Sequence, residues 1–338
     1  MNLSRIIQRS FEITWGYRAL WVFGIIMALT TVGNSGVSIG NSGGGGGGHS
    51  FAAPSGLASK VSLPLTQIDK SVVIALAAAA VVLILLVTEI FAVAHLISET
   101  ALIRMVDGYE TSGTRVSVSQ GFRLGWSRNA MRIFEIDLLV FMAAVLTIIL
   151  LLAVAAAPLL LWTLDSKILG ILGTSVSVML GILVLIIIIG EIIALMILTQ
   201  FFHRAVVLEG LGVFESLRRG WQMARMRLSE TLLLAVTLFA IDLGFSLILS
   251  PVHFLLLAAG GVLAGLPGLL IGLLTSLFAQ GIAPWIAGII VAAPILFIVI
   301  IVPILFTSGL FQVFSSSAWT LAYRDLQASA AAPSVPSA

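Results

Sequence analysis

Six long apolar runs punctuate the chain, near Ala19–Val37, Ser71–Ser98, Leu138–Trp162, Leu169–Phe202, Thr231–Ser250 and Ile286–Phe311. A helix rises about 1.5 Å per residue, so about 20 apolar residues match the hydrocarbon thickness of a bilayer. The runs are continuous and lack the two-residue alternation of a transmembrane β-barrel. The pattern predicts an all-α polytopic transmembrane helix bundle of about six spans. The fourth run is longer than one crossing, so it must tilt, project, or begin with a short interfacial piece around Gly170–Gly173. Pro251–Ala283 is apolar but broken by Pro251, Gly260, Gly261 and Pro267. It is expected to lie at the outer surface or to re-enter, a seventh span being the alternative. Within it, Gly261/Gly265 and Gly268/Gly272 are small-xxx-small pairs that let helices approach closely.

The polar stretches between runs show a pattern that occurs three times: Ser10–Gly24, Gly121–Glu135 and Ser216–Glu230. In each, a bulky apolar residue precedes a tryptophan by four positions: Phe11/Trp15, Phe122/Trp126 and Leu217/Trp221. Basic residues follow, and a span begins within about ten positions. Residues at i and i+4 share a helix face, tryptophan favours the headgroup level, and arginine meets anionic phosphates. The expectation is three units, each an amphipathic interfacial elbow helix leading into a transmembrane hairpin.

Composition agrees with a lipid solvent. The 338 residues are 59% hydrophobic and 9% charged, against about 25% charged in soluble domains. The formal net charge is only +2, but its placement is informative. Arg5, Arg9 and Arg18 precede the first run, Arg104–Arg132 lie between the second and third, Arg204–Arg227 lie between the fourth and fifth, and Arg324 follows the last. Lys60, Lys70 and Lys167 fall in the other loops. Basic residues mark the cytoplasmic side, so both termini are expected in the cytoplasm and the chain in the cytoplasmic membrane. The N-terminal stretch is read as a retained span, not a cleaved signal. One integral membrane domain covers 1–327. A glycine-rich external loop spans 34–69, arginine-rich cytoplasmic loops span 104–130 and 204–229, and a disordered tail spans 328–338. Basic residues are too sparse for nucleic-acid binding, and without cysteine there is no thiolate chemistry.

Ionisable residues at membrane depth are the first place to seek function. Glu89, Glu191 and Asp242 fall inside the second, fourth and fifth runs and are candidates for a proton or cation site. Arg123, Trp126, Arg128, Arg218, Arg219, Trp221 and Arg225 are candidates for lipid-headgroup contact. His95 and Glu99 are four apart, a spacing compatible with two metal ligands, but no second pair matches them and no metal site or cofactor is assigned. Glu135, Asp137 and Glu230 open spans beside Arg132 and Arg227, where they favour the helix dipole and pair with those arginines. Gly33–Gly36 and Gly40–Gly43 spell the GxSG of rhomboid-type proteases, but they sit in the glycine loop and read as low complexity. No zinc-protease, Walker or nucleophile-elbow motif is present.

The opening Ala19-Leu20-Trp21-Val22-Phe23-Gly24, the Arg/Trp elbows and the closing Tyr323-Arg324 resemble a group of uncharacterised bacterial polytopic membrane proteins. That group is similar to the membrane domain fused to some glycerophosphodiester phosphodiesterases. The resemblance covers nearly the whole chain outside the glycine loop and implies topology only, since the soluble catalytic domain is missing from this sequence. The expectation is a non-enzymatic membrane protein acting in membrane organisation, lipid handling or assembly of a partner complex. Its partners would be membrane lipids and a membrane-protein partner or further copies of itself. The alternative is a secondary transporter of a small solute or lipid that uses the intramembrane carboxylates.

Overall fold

The computed structural model describes residues 2–34, 70–164 and 166–331. Most of the glycine loop, including the serines of both GxSG copies, and the tail beyond 331 lie outside the described residues. The protein is an all-α polytopic helix bundle, with no strand among the described residues. Five helices are long and apolar enough to cross a membrane, and a bent pair supplies a sixth crossing if taken as one span.

The elements fall into three sets, each opened by a short helix. First come α1 (Leu3–Gly16), α2 (Ala19–Asn34) and α3 (Lys70–Ser112), with a bend of 100° between α1 and α2. Next are α4 (Val118–Gly125), α5 (Arg128–Ala156, extended by a 3-10 stretch, Ala157–Leu164) and α6 (Lys167–Glu209). Last are α7 (Val213–Met226), α8 (Leu228–Ser276), α9 (Ala283–Leu296) and, after a π-helical turn at Phe297–Ile301, α10 (Val302–Ala331). Trp15 sits one residue before the end of α1 and Trp126 one residue after α4, whereas α7 continues five residues past Trp221. Ser117 starts α4 with a capping box, its hydroxyl accepting from the Gln120 amide while the Gln120 side chain accepts from the Ser117 amide.

Two expectations change. The stretch from Pro251 is not a separate interfacial piece, because α8 runs unbroken through Pro251 and Pro267 to Ser276. Helices surrounded by lipid tolerate proline, since neighbouring groups re-satisfy the freed backbone and no water competes for it. Nor does a separate piece begin at Gly170–Gly173. Both glycines lie inside α6, with Gly170 under the Trp162 ring and Gly173 against the Pro158 carbonyl. The whole of Lys167–Glu209 is one continuous helix, α6. Its 43 residues make a rod of about 64 Å, against about 30 Å of hydrocarbon.

The chain forms two compact units. The second comprises Thr14–Ser98 and Val236–Ser315. Here α2 and α10 cross at Gly24 and Gly309, where a side chain on either would strike the other's backbone. Trp21 packs edge-on against Phe306 beside this crossing, and the Thr30 hydroxyl meets His95 Nδ1 at 2.9 Å. The α8–α9 hairpin closes through Gly268 on Gly288. The first unit comprises Met1–Ile13, Glu99–Ala235 and Ser316–Ala338. It contains the α5–α6 hairpin and most of the buried polar side chains. Along the middle of that hairpin, Leu146, Ile149, Met179 and Ile186 face outward, which suits a lipid surround.

Candidate functional site

The end of α6 organises the first unit. Gly210 takes φ +67°, a left-handed conformation that glycine adopts without a Cβ clash, and so terminates the helix. The last carbonyls of α6 have no partner within the helix. The start of α5 reinforces this end: Asn129 Nδ2 donates at 3.3 Å to the Val206 carbonyl, which also accepts from the Gly210 amide, and Arg132 Nη1 donates to the Gly210 and Leu211 carbonyls just past the helix at 2.8 and 3.2 Å. The α7 helix docks beside this end through Gly220, which lies so close to the Phe202 ring that any side chain there would collide with it. Arg219 of α7 pairs with Glu209 at 3.1 Å, and the buried Tyr323 of α10 donates to the same carboxylate at 2.6 Å. Two further ion pairs, Arg324 with Asp107 and Arg9 with Glu110, tie α10 and α1 to the end of α3.

Beneath these surface ties lies a row of three ionisable groups. His203 of α6 places Nδ1 2.7 Å from Glu99 Oε1 of α3 and Nε2 2.7 Å from Asp137 Oδ1 of α5. The Glu99 and His203 side chains are 9% and 7% exposed and Asp137 is 41% exposed, so the row runs from the interior to the surface. Two hydrogen bonds need two protons among three groups. The row therefore carries one net negative charge however those protons are distributed. The neighbouring Arg204, 1% exposed, balances it. Its guanidinium donates to the Gln200 backbone carbonyl, to Gln200 Oε1 and to the Ser316 carbonyl, and it interacts electrostatically with Glu99. Arg204 Nε is buried without a partner. Because both ring nitrogens of His203 face carboxylates, neither is free for a metal, and no group of three His, Asp or Glu among the described residues is arranged to hold one.

The outer surface of the same unit is different. On α7, Ser216, Gly220, Met223 and Ala224 are buried. Phe214, Arg218, Trp221 and Arg225 lie opposite, all exposed, spaced at i, i+4, i+7 and i+11. At about 100° per residue these four occupy one narrow stripe. Beside α4, Phe122, Arg123, Trp126 and Arg128 are exposed as well, with Trp126 at 74%. Arg123, Arg128, Arg218 and Arg225 carry no hydrogen bond or ion pair to the protein among the described residues.

The seven headgroup candidates thus separate. Six are exposed, whereas Arg219 is committed to Glu209. The three intramembrane carboxylates are not gathered by any bond among the described residues: Glu89 faces outward on α3, and Glu191 and Asp242 are half-buried on α6 and α8. Glu191 Oε2 is inaccessible and unpartnered. His95 and Glu99 diverge, one bonding Thr30 and the other His203. Arg227 does pair with Glu230 at 2.9 Å. Arg132 does not pair with Asp137, because five residues along a helix turn the two side chains apart, and its guanidinium binds the Gly210 and Leu211 carbonyls after α6 instead. The hub at His203 was not singled out from sequence. Its only signal was a histidine and an arginine adjacent at the end of a span.

No curated protein and no solved structure matches the chain. A family model does match, over residues 12–325, nearly the whole length. It supports the likeness to proteins of uncharacterised function and carries no link to phosphodiesterases. The chain belongs to that family, a family of unknown function designated DUF7544.

Proposed function

We propose that this is a non-enzymatic protein of the cytoplasmic membrane that organises lipid at the cytoplasmic face, both termini being on that side. The observation that carries the reading is the exposed stripe Phe214–Arg218–Trp221–Arg225 on α7. An aromatic side chain in the headgroup layer alternating with an arginine that has no protein partner suits an anionic lipid surface. The α4 segment repeats the combination with Phe122, Arg123, Trp126 and Arg128. These groups are held by a rigid base, since Gly220 and Arg219 fix α7 and Asn129 and Arg132 fix the start of α5. The same surface would serve to seat a membrane partner through shared lipid.

The test is lipid retention by native mass spectrometry, after gentle extraction from membranes containing equal amounts of anionic and zwitterionic phospholipid. Each arginine near an anionic surface contributes about 1 kcal/mol, so R218A/R225A should reduce anionic-lipid retention by about 30-fold relative to wild type. Equal retention of both lipid classes by wild type would refute the reading. Transport through Glu89, Glu191 and Asp242 has one supporting observation, the unpartnered Glu191 oxygen. Glu191→Gln should then abolish solute flux in proteoliposomes without changing lipid retention.

A further inference from the structure

None of the exposed arginines and aromatics of α4 and α7 belongs to the Asp137–His203–Glu99 row, whose geometry suits another task. It joins a carboxylate at the surface to one in the interior through an imidazole, with both hydrogen bonds at 2.7 Å. Imidazole can accept a proton on one nitrogen while releasing one from the other, which makes it a conduit between two acids. We propose that Glu99 is a buried proton-binding site that exchanges protons with water through His203 and Asp137.

The step balances within the row. The unloaded row holds one proton, on His203 Nδ1, and water delivers the second to Asp137, whose side chain is 41% exposed. The Oδ1–H bond of Asp137 breaks as an Nε2–H bond forms on His203. The Nδ1–H bond of His203 breaks as an Oε1–H bond forms on Glu99. The ring keeps one proton throughout, Asp137 ends as a carboxylate, and Glu99 ends neutral. Negative charge thereby leaves the side of Arg204 for the surface. Arg204 is the guanidinium that also binds the Ser316 carbonyl of α10, so the loaded state loosens the electrostatic balance where α3, α6 and α10 meet.

The charged groups around the row are accounted for by element. Glu99 comes from α3, Asp137 from α5, and Arg204 stands beside His203 on α6. Arg219 of α7 and Tyr323 of α10 are both bound to Glu209. Arg324 of α10 is bound to Asp107.

The experiment uses the full chain in nanodiscs of a zwitterionic lipid, so that it is independent of headgroup binding. Glutamate is labelled with carbon-13, and the infrared band of a protonated glutamic acid is followed after a rapid jump from about pH 8 to about pH 5. Wild type should develop a label-shifted carboxylic acid band that is missing from Glu99→Gln. Asp137→Asn, altered only at the accessible end, should form the same band at least tenfold more slowly, and Asp137→Glu should restore the rate. An unchanged rate in Asp137→Asn would overturn the proposal. So would equal slowing in Asp137→Glu, which would mark a packing effect, or the lack of any Glu99 band in wild type. Should Glu99→Gln fail to fold, the Asn and Glu variants at position 137 still decide the matter.

Discussion

Removing the charge of Glu99 tests the buried ionic row most directly. Glu99→Gln keeps the side-chain shape and an oxygen that can accept from His203 Nδ1, but it deletes the negative charge beside Arg204 and His203. Two unit charges about 4 Å apart interact by about 4 kcal/mol at an effective dielectric constant of about 20. Breaking a buried pair by removing one partner costs about 3–5 kcal/mol, because the other charge stays desolvated. Two features reduce this figure. The amide still forms a neutral hydrogen bond contributing about 1 kcal/mol, and so the expected loss is about 2–3 kcal/mol. Asp137 also remains to hold the other nitrogen. The assay is reversible unfolding in mixed micelles with increasing sodium dodecyl sulfate, read by circular dichroism. A double-mutant cycle with His203→Gln isolates the pair, and its coupling should be about 1.5–3 kcal/mol. Coupling within about 0.5 kcal/mol of zero would mean that the two residues act independently, and the ionic row would not be a structural unit.

Other perturbations report on the base that carries the exposed arginines. Gly220→Val drives a branched side chain into the Phe202 ring and should cost about 1–3 kcal/mol. It should also release α7, seen as faster proteolysis between residues 211 and 227, and intact protection would refute the docking role. Tyr323→Phe deletes the 2.6 Å bond to Glu209 and should cost about 1.5–3 kcal/mol in the same unfolding assay. Its effect should not add to that of Arg219→Ala, since both side chains use one carboxylate. Arg132→Ala strands the Gly210 and Leu211 carbonyls. Amide exchange over the last turn of α6 should then rise, whereas exchange near Gly170 should not.

Much of the architecture could be read from hydrophobicity, because in lipid the backbone must satisfy itself and a long apolar run has little choice but helix. The tryptophan register marked the three short helices α1, α4 and α7, and simple i,i+3 spacing marked the Arg227–Glu230 pair. Proline and glycine misled from Pro251 to Ser276. Their helix-breaking strength is a property of water-exposed chains, and α8 ignores it. The buried row stayed hidden for a different reason. Glu99, Asp137 and His203 lie on three helices, and the two carboxylates stand 104 and 66 positions from the histidine, so no local spacing links them. The local signals instead pointed to wrong neighbours, His95 for Glu99 and Arg132 for Asp137.

The arginines show how far residue type alone can mislead. Read as a set, they mark one side of a membrane and nothing more. In the folded chain they divide by task. Arg132 and Arg204 serve backbone carbonyls, while Arg9, Arg219, Arg227 and Arg324 take carboxylates. Arg123, Arg128, Arg218 and Arg225 are left exposed. A protein needing only the topological signal could leave any arginine free, and free and bound ones would then be scattered without order. Here two of the free ones fall on the single face of α7 that also presents Phe214 and Trp221, opposite the face that Gly220 presses onto Phe202. The bound Arg219 sits between them in sequence but turns towards Glu209. That sorting within one helix is what a lipid-facing surface on a rigid base requires. Swapping the charges of Arg218 and Glu209 by R218E/E209R preserves the number of charges but puts a carboxylate in the stripe and an arginine against Arg219, so anionic-lipid retention should fall further than in R218A alone.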